Sequence, residues 1–451
     1  MSTSPERDFE SFEEARSTKA ADFFTDKFAI ARAPGRLDVM GGIADYSGSL
    51  VAEMPIAQAT VAGAQVGGTE NGAVHVRSLN AESEHFEEDV ILPAELFINP
   101  VSMLRWAKDA PKSQFWAAYV AGSVGILRAE GLWPRGVGAK ILVRSDVPLG
   151  AGVSSSAAIE VATMRALCAA HGISLDGLTL ARLCQRVENE IVDAPCGIMD
   201  QVTSAMGEQG ELLLLLCQPA VVQGTLKIPA GWRVFGIDSG VKHSVAGHGY
   251  TDVRVAAFMG AKILADTSGE GFGGYLCNVP PERYREICPD GLPESMSGSE
   301  FIKKHGGILD TVTRVDPNGT YAVRAATEHA IFEMRRVTEF VELLKNGDDA
   351  SMAVAGSRMQ TSHASYSRCG LGSAETDLLA DLALTSDGVV GAKITGGGSG
   401  GTVCVLCRAE TEEAVIQSLV EQYSEQTGII PRVIRGTSPG AFATEPVYGN
   451  P

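Results

Sequence analysis

The residues best suited to chemistry lie in the run Pro148-Leu149-Gly150-Ala151-Gly152-Val153-Ser154-Ser155-Ser156, where small residues lead into a segment opening with three hydroxyls. Glycine lets a backbone approach a ligand closely and turn its N–H groups toward it. A helix beginning at Ser154 adds unpaired amide donors and the positive end of its dipole, and together these bind an anion such as a phosphate. The hydroxyls can ligate a phosphate oxygen or a magnesium ion. The run lacks the Gly-Lys-Ser/Thr ending of a P-loop. The same pattern also suits a plain N-capped helix behind a glycine turn.

Three further residues extend this chemistry. Asp200, in CGIMDQ, falls in the first turn of a short predicted helix, where the dipole favours its ionised form and it can accept a proton from a hydroxyl. Arg36, in APGRLDVMGG, follows a Pro-Gly turn after an apolar strand and can balance negative charge developing on a phosphoryl group. Glu188 flanks the apolar stripe of its helix, one residue past Val187. Each has a plain alternative: a helix-end charge for Asp200, a surface salt bridge for Arg36, a solvated face for Glu188. A second glycine cluster, Gly396 to Gly401, formally matches GxGxxG but is followed by TVCVLC, a strand and not a helix, so the dinucleotide fingerprint fails.

The elements that must position these residues alternate irregularly. Strands are expected within 28–66, around a glycine-rich loop, and at 139–145; helices at 154–170, 178–192 and from about 197 to 207. A strand ELLLLLC follows, then strands within 223–246, helices near 252–266 and 322–345, a strand–glycine loop–strand over 387–407, and a helix at 411–427 before a last strand. The Gly/Pro/Ser-rich stretch 267–300 reads as an irregular surface insertion. Without a regular βαβ period the class is α+β. At 451 residues the chain calls for more than one domain, divided into 1–222 and 223–451. The formal net charge of −18 argues against nucleic-acid or anionic-membrane partners, and no apolar run approaches a membrane span. The acidic, polar start lacks signal- or transit-peptide character, which points to the cytoplasm. Nine scattered cysteines read as reduced and packed.

Taken together, RAPGRLDVMGGIADYSG, VPLGAGVSSSAAIEVA, APCGIMDQVTSAMGE and GAKITGGGSGGTVCVL resemble the signatures of the GHMP kinase superfamily, within it the galactokinase branch, over roughly residues 28 to 436. WAAYVAG at 116–122, HSVAGHGYTDVR at 243–254 and SHAS at 362–365 are similar to galactokinase landmarks. The resemblance implies a two-domain fold, with a ribosomal-S5-domain-2-like N-terminal domain, a ferredoxin-like C-terminal domain and the site between them. It further implies ATP and Mg2+, with Asp200 as catalytic base and Arg36 as its partner. Gly150 to Ser156 would hold the phosphates and Trp116 and Tyr119 the base of the nucleotide. Ser156 and Glu188 would ligate the metal, and Asp45, Gly197 and Tyr250 would contact a sugar.

One departure bears on the acceptor. Galactokinases carry Gly-Glu-His-x-Asp-Tyr where this chain has Gly41-Gly42-Ile43-Ala44-Asp45-Tyr46. The missing Glu and His belong to the side of the pocket that holds the galactose hydroxymethyl group. L-Arabinopyranose shares the galactose ring stereochemistry without that group, and Gly42 with Ile43 leaves no buried polar group unpaired there. DVMGGIADYSGSL is also similar to the wording of plant-type L-arabinokinases. The expected reaction is phosphorylation of L-arabinose at its anomeric hydroxyl, with D-galactose and D-galacturonate as rival acceptors. A non-catalytic sugar sensor is a rival of another class. Replacing Gly42 by Glu and Ile43 by His is expected to raise galactose use.

Overall fold

The computed structural model describes residues 4–81, 85–241 and 248–451; residues 243–247 of the stretch HSVAGHGYTDVR lie outside it. Strands β1 (Phe28–Met40), β2 (Leu50–Val66), β3 (Val74–Ser78), β4 (Asp89–Leu92), β5 (Ala139–Ser145), β6 (Glu211–Leu216) and β7 (Val221–Lys227) build the first sheet. Next come β8 (Trp232–Asp238), β9 (Met296–Ser297), β10 (Thr320–Tyr321), β11 (Val389–Ile394), β12 (Thr402–Arg408), β13 (Arg432–Ile434) and β14 (Val447–Gly449). The large sheet runs β14-β1-β2-β5-β3-β4, with β6 also pairing β2 and β7 pairing β6. Among the described residues, only β3–β5 is a parallel pair in it. A second, four-stranded sheet of order β11-β12-β8-β13 pairs antiparallel. The expected division at 222/223 falls inside β7, and the chain crosses from one sheet to the other between Lys227 and Trp232.

The helices are α1 (Pro5–Lys19), α2 (Pro100–Asp109), α3 (Ala117–Ala129), α4 (Ser155–His171), α5 (Gly177–Arg186), α6 (Met199–Met206) and α7 (His248–Ser268). They continue as α8 (Pro281–Ile287), α9 (Gly298–His305), α10 (Val323–Asn346), α11 (Asp349–Arg368), α12 (Ala374–Leu384) and α13 (Glu412–Thr427). β1 is buried along its whole length and β2 at all but two positions, because one face takes α3, α4 and α6 while the other packs on the second sheet. Strands covered on both faces lose the polar–apolar alternation of an exposed sheet. Leu37, Ile56, Leu212, Trp232, Phe340 and Cys404 fill the layer between the two sheets, and Phe235, Leu379, Val405 and Leu419 the far side of the second.

The stretch 267–300 departs from the surface loop expected of it. Leu276, Cys277, Val279, Tyr284 and Leu292 are buried in a core shared with α7 and α10, and α8 lies within it. Its glycines and prolines mark turns between short packed pieces. Among the described residues no helix is long and apolar enough to cross a membrane.

Candidate active site

The glycine-rich run folds as a strand, a turn and a helix. β5 ends at Ser145, Gly150 and Gly152 take φ of 73° and 72°, and Ser154 itself is left-handed (φ 59°, ψ 48°) as the residue before α4. In that conformation its side chain does not cap the helix. The Ser154 Oγ is buried and has no hydrogen-bond partner among the described residues. With its hydroxyl unpaired and no side-chain cap at the helix start, α4 departs from a plain N-capped helix. Ser154, Ser155, Ser156, Gly150 and Gly152 line a cavity of about 390 Å³, whereas Ala151 and Val153 turn into the core between the sheets.

Arg36 also lines that cavity. Register shifts between Pro34 and Arg36 and between Asp38 and Met40 interrupt its pairing with β2, and such bulges re-aim a side chain. Its Nε and Nη2 both lie 2.8 Å from Asp200 Oδ1, and Nη1 donates to the Gly152 carbonyl at 2.7 Å. Glu53 Oε2 lies 3.3 Å away on the other side. Burial works against the Arg36 charge, but Asp200, Glu53 and Asp38 outweigh it and raise its pKa. Arg36 is thus a buried cation joining Asp200 to the glycine-rich loop, not a surface salt bridge. The Asp200 side chain, on the first turn of α6, remains 21% exposed toward the cavity.

Glu188 is buried, in contrast to the solvated-face alternative. The helix predicted over 178–192 changes after Arg186 into a π-turn, Val187–Val192, whose extra residue brings Glu188 under the cavity. Gln201 Nε2 donates to it at 2.7 Å and also reaches Glu160, fully buried, at 3.2 Å. Desolvation, then the charge of Asp200, lifts the Glu188 pKa to about 7, while a hydrogen bond from Ser156 works the other way. Ser156 and Glu188 therefore face the same point.

At the far end Asp45 sits on the 3-10 turn Gly42–Ser47. It accepts from the Tyr46 N–H at 2.5 Å and packs on Gly197 so closely that a β-carbon there would overlap its carboxylate. Burial, then Asp200, raises the Asp45 pKa to about 7. Ile43, Gly197 and Tyr250 line this end of the cavity; Gly42 lies behind the wall, against Tyr366. Trp116 and Tyr119 line the same cavity. The second glycine loop closes over Arg36: a β-carbon at Gly396 would lie 2.7 Å from the Gly152 carbonyl and 3.0 Å from Arg36 Nη2.

The chain matches the GHMP kinases N terminal domain over residues 118–208 and the GHMP kinases C terminal domain over 340–425. It is 40% identical to the L-arabinokinase of Arabidopsis thaliana over an alignment 485 positions long, which covers 92% of this chain but 46% of that protein. It is 32% identical to the galactokinase of Chloroflexus aggregans, covering 88% of this chain and 89% of that one. The chain belongs to the galactokinase branch of the GHMP kinases. The solved fold of Lactococcus lactis galactokinase complexed with galactose agrees with it at a TM-score of 0.72, with 19% identity over 96% of this chain and 98% of that one. Methanococcus jannaschii mevalonate kinase agrees at 0.51, with 15% identity over 90% and 96%. The GHMP kinase fold, with its two domains, thus stands as expected.

Sequence reasoning missed several residues of this GHMP kinase site. Phe86, Lys112 and Phe115 line the end near Trp116, and Lys112 places a cation there. Arg254 donates to the Cys196 carbonyl at 3.0 Å while held by Asp310 at 2.8 and 2.9 Å, fixing the loop that carries Gly197. Lys393, fully buried, pairs with Asp38 at 2.6 Å behind Arg36. Phe86 and Lys112 sit in connecting segments without a motif. The Arg254–Asp310 pair is separated by the whole 267–300 stretch.

Proposed function

We propose that this protein transfers the γ-phosphoryl group of ATP to the anomeric hydroxyl of L-arabinose, giving L-arabinose 1-phosphate and ADP. The observation that carries the sugar is the acceptor wall: apolar Ile43 lines it, backed by side-chain-less Gly42, and offers no polar partner to a hydroxymethyl group, while Asp45 lines the same cavity and would bind ring hydroxyls. The 40% identity to an L-arabinokinase supports the same acceptor. The galactokinase relatives support the ring stereochemistry.

Asp200 accepts the anomeric proton as the sugar oxygen attacks the γ-phosphorus and the bond to ADP breaks. Arg36, bonded to Asp200 and to the Gly152 carbonyl, keeps that carboxylate in place and balances charge on the group in flight. The amides at the start of α4 and the Ser154 hydroxyl bind phosphate oxygens. The adenine lies against Trp116 and Tyr119. Ser156 and Glu188 would hold Mg2+, which neutralises phosphate charge when bound. Among the described residues no group of three or more His, Cys, Asp or Glu is placed for a metal. Positioning and charge balance carry most of the rate enhancement.

Initial rates with L-arabinose, D-galactose and D-galacturonate at one ATP concentration test the proposal. L-Arabinose should give the highest kcat/KM. A preference for galactose would show that Gly42 and Ile43 do not select the acceptor.

A further inference from the structure

The apolar wall at Ile43 is held from behind by the other half of the molecule. Tyr366, on α11, is fully buried. Its hydroxyl accepts from the Ile43 N–H at 2.9 Å and donates to the Gly396 carbonyl at 3.0 Å. The ring is wedged edge-on against His329, with centroids 5.1 Å apart, and lies 5.3 Å from the Lys393 ammonium. Gly42 has φ +44°, and a β-carbon there would overlap the Tyr366 hydroxyl, 2.8 Å from its Cζ and 2.9 Å from Asp38 Oδ2. The tyrosine hydroxyl thus occupies the volume that any side chain at 42 needs.

We infer that Tyr366 is a specificity-determining positioning residue: by pinning the Ile43 amide and filling the space over Gly42 it fixes how much room the acceptor has beside Ile43. The inference rests on reading this end of the cavity as the sugar site. Tyr366 is absent from the cavity wall, so it acts through Ile43 and the turn. Without its hydroxyl, the buried Ile43 N–H and Gly396 C=O lose their partner, and the turn can regain one only by moving. Movement of Ile43 enlarges the pocket where a hexose carries its extra carbon. The structure also corrects the simple exchange at 42 and 43: Gly42→Glu cannot be accommodated while Tyr366 keeps its place.

The test is steady-state kinetics with L-arabinose and D-galactose, each at varied ATP, on the wild type, Tyr366→Phe, Tyr366→Leu, Gly42→Ala and the double variant Gly42→Ala/Tyr366→Leu, with thermal denaturation of each. Tyr366→Phe should raise the sugar KM about tenfold and leave the KM for ATP within about twofold, as expected when the freed Ile43 amide shifts the wall beside the sugar. Tyr366→Leu should lower the arabinose-to-galactose ratio of kcat/KM by about fivefold or more. Gly42→Ala should cost less activity when combined with Tyr366→Leu than in the wild type; strain at φ +44° is common to both and cancels in that comparison. An unchanged sugar ratio in both tyrosine variants, or strictly additive effects at 42 and 366, would overturn the inference. If Tyr366→Leu is too unstable to assay, the sugar ratio and KM split of Tyr366→Phe decide alone. The wild-type ratio tests the arabinose reading and the change in ratio tests Tyr366, so the two fail separately.

Discussion

Gly197 and Asp45 are packed so closely that residue 197 has no room for a side chain: any β-carbon would fall on the carboxylate. Asp45 therefore meets the backbone just before α6, and the turn carrying one end of the site is keyed to the helix carrying Asp200. Gly197→Ala must push Asp45 aside. The expected result is a sugar KM raised at least about tenfold with ATP binding retained, the pattern for loss of a hydrogen-bonding group at the acceptor end. Steady-state kinetics with separate titrations of sugar and ATP check it; equal losses for both substrates would point to general misfolding.

Asp200→Asn keeps the shape of the pair with Arg36 and removes the proton acceptor. kcat should fall about 10²- to 10⁴-fold, the range for losing a general base. Isothermal titration should still detect ATP. An asparagine variant with near-wild-type turnover would remove Asp200 from the role of base.

The Asp45 pKa, raised to about 7 in the folded protein from an ordinary value of 3.8, has a consequence for stability. Between those values the folded state binds a proton that the unfolded chain releases, so stability must fall as pH rises from about 4 to about 7. Asp45→Asn removes this contribution. Its melting temperature should decline less steeply than that of the wild type over the window, in the absence of substrate. Parallel curves would mean that Asp45 is not desolvated in solution.

Lys393 and Asp38 form an ion pair with neither side chain exposed. Burial raises the Asp38 pKa, but Lys393 and then Arg36 overcome it and hold the carboxyl below its usual range. Lys393→Met leaves that charge buried beside Arg36 without its main partner. The expected loss is about 3–5 kcal/mol in denaturant unfolding. A loss within the range of ordinary surface substitutions, about 0.5 kcal/mol, would contradict a structural role.

What could be read in advance follows from how local each signal is. β5 and α4 show their limits in AKILVRS and in the hydroxyl-led helix because their patterns are complete within the segment. The burial of Glu188 could not be read that way: helical spacing puts residue 188 beside the apolar stripe, and the π-turn that brings it inward leaves no mark in the periodicity. α1 gives little signal because its face is mostly polar; it is anchored by Phe12 in a small core and by Asp8 on Arg32. The 267–300 stretch misleads for the opposite reason, since its turn residues are conspicuous and its buried Leu276, Val279 and Tyr284 are isolated in sequence. Tyr366 has no local signal, because its partners Ile43 and Gly396 come from opposite ends of the chain.

β1 passes directly into the turn that bears Asp45, so one unbroken piece of chain from Arg36 to Asp45 carries two residues of the cavity, the proposed phosphoryl contact and the proposed acceptor contact. The spacing of Arg36 and Asp45 is then set within one bulged strand and its turn rather than by how two lobes come together. Exchanging acceptor preference between kinases of this architecture becomes a matter of transplanting a short cassette. The graft must bring along the one α11 side chain on which its back rests.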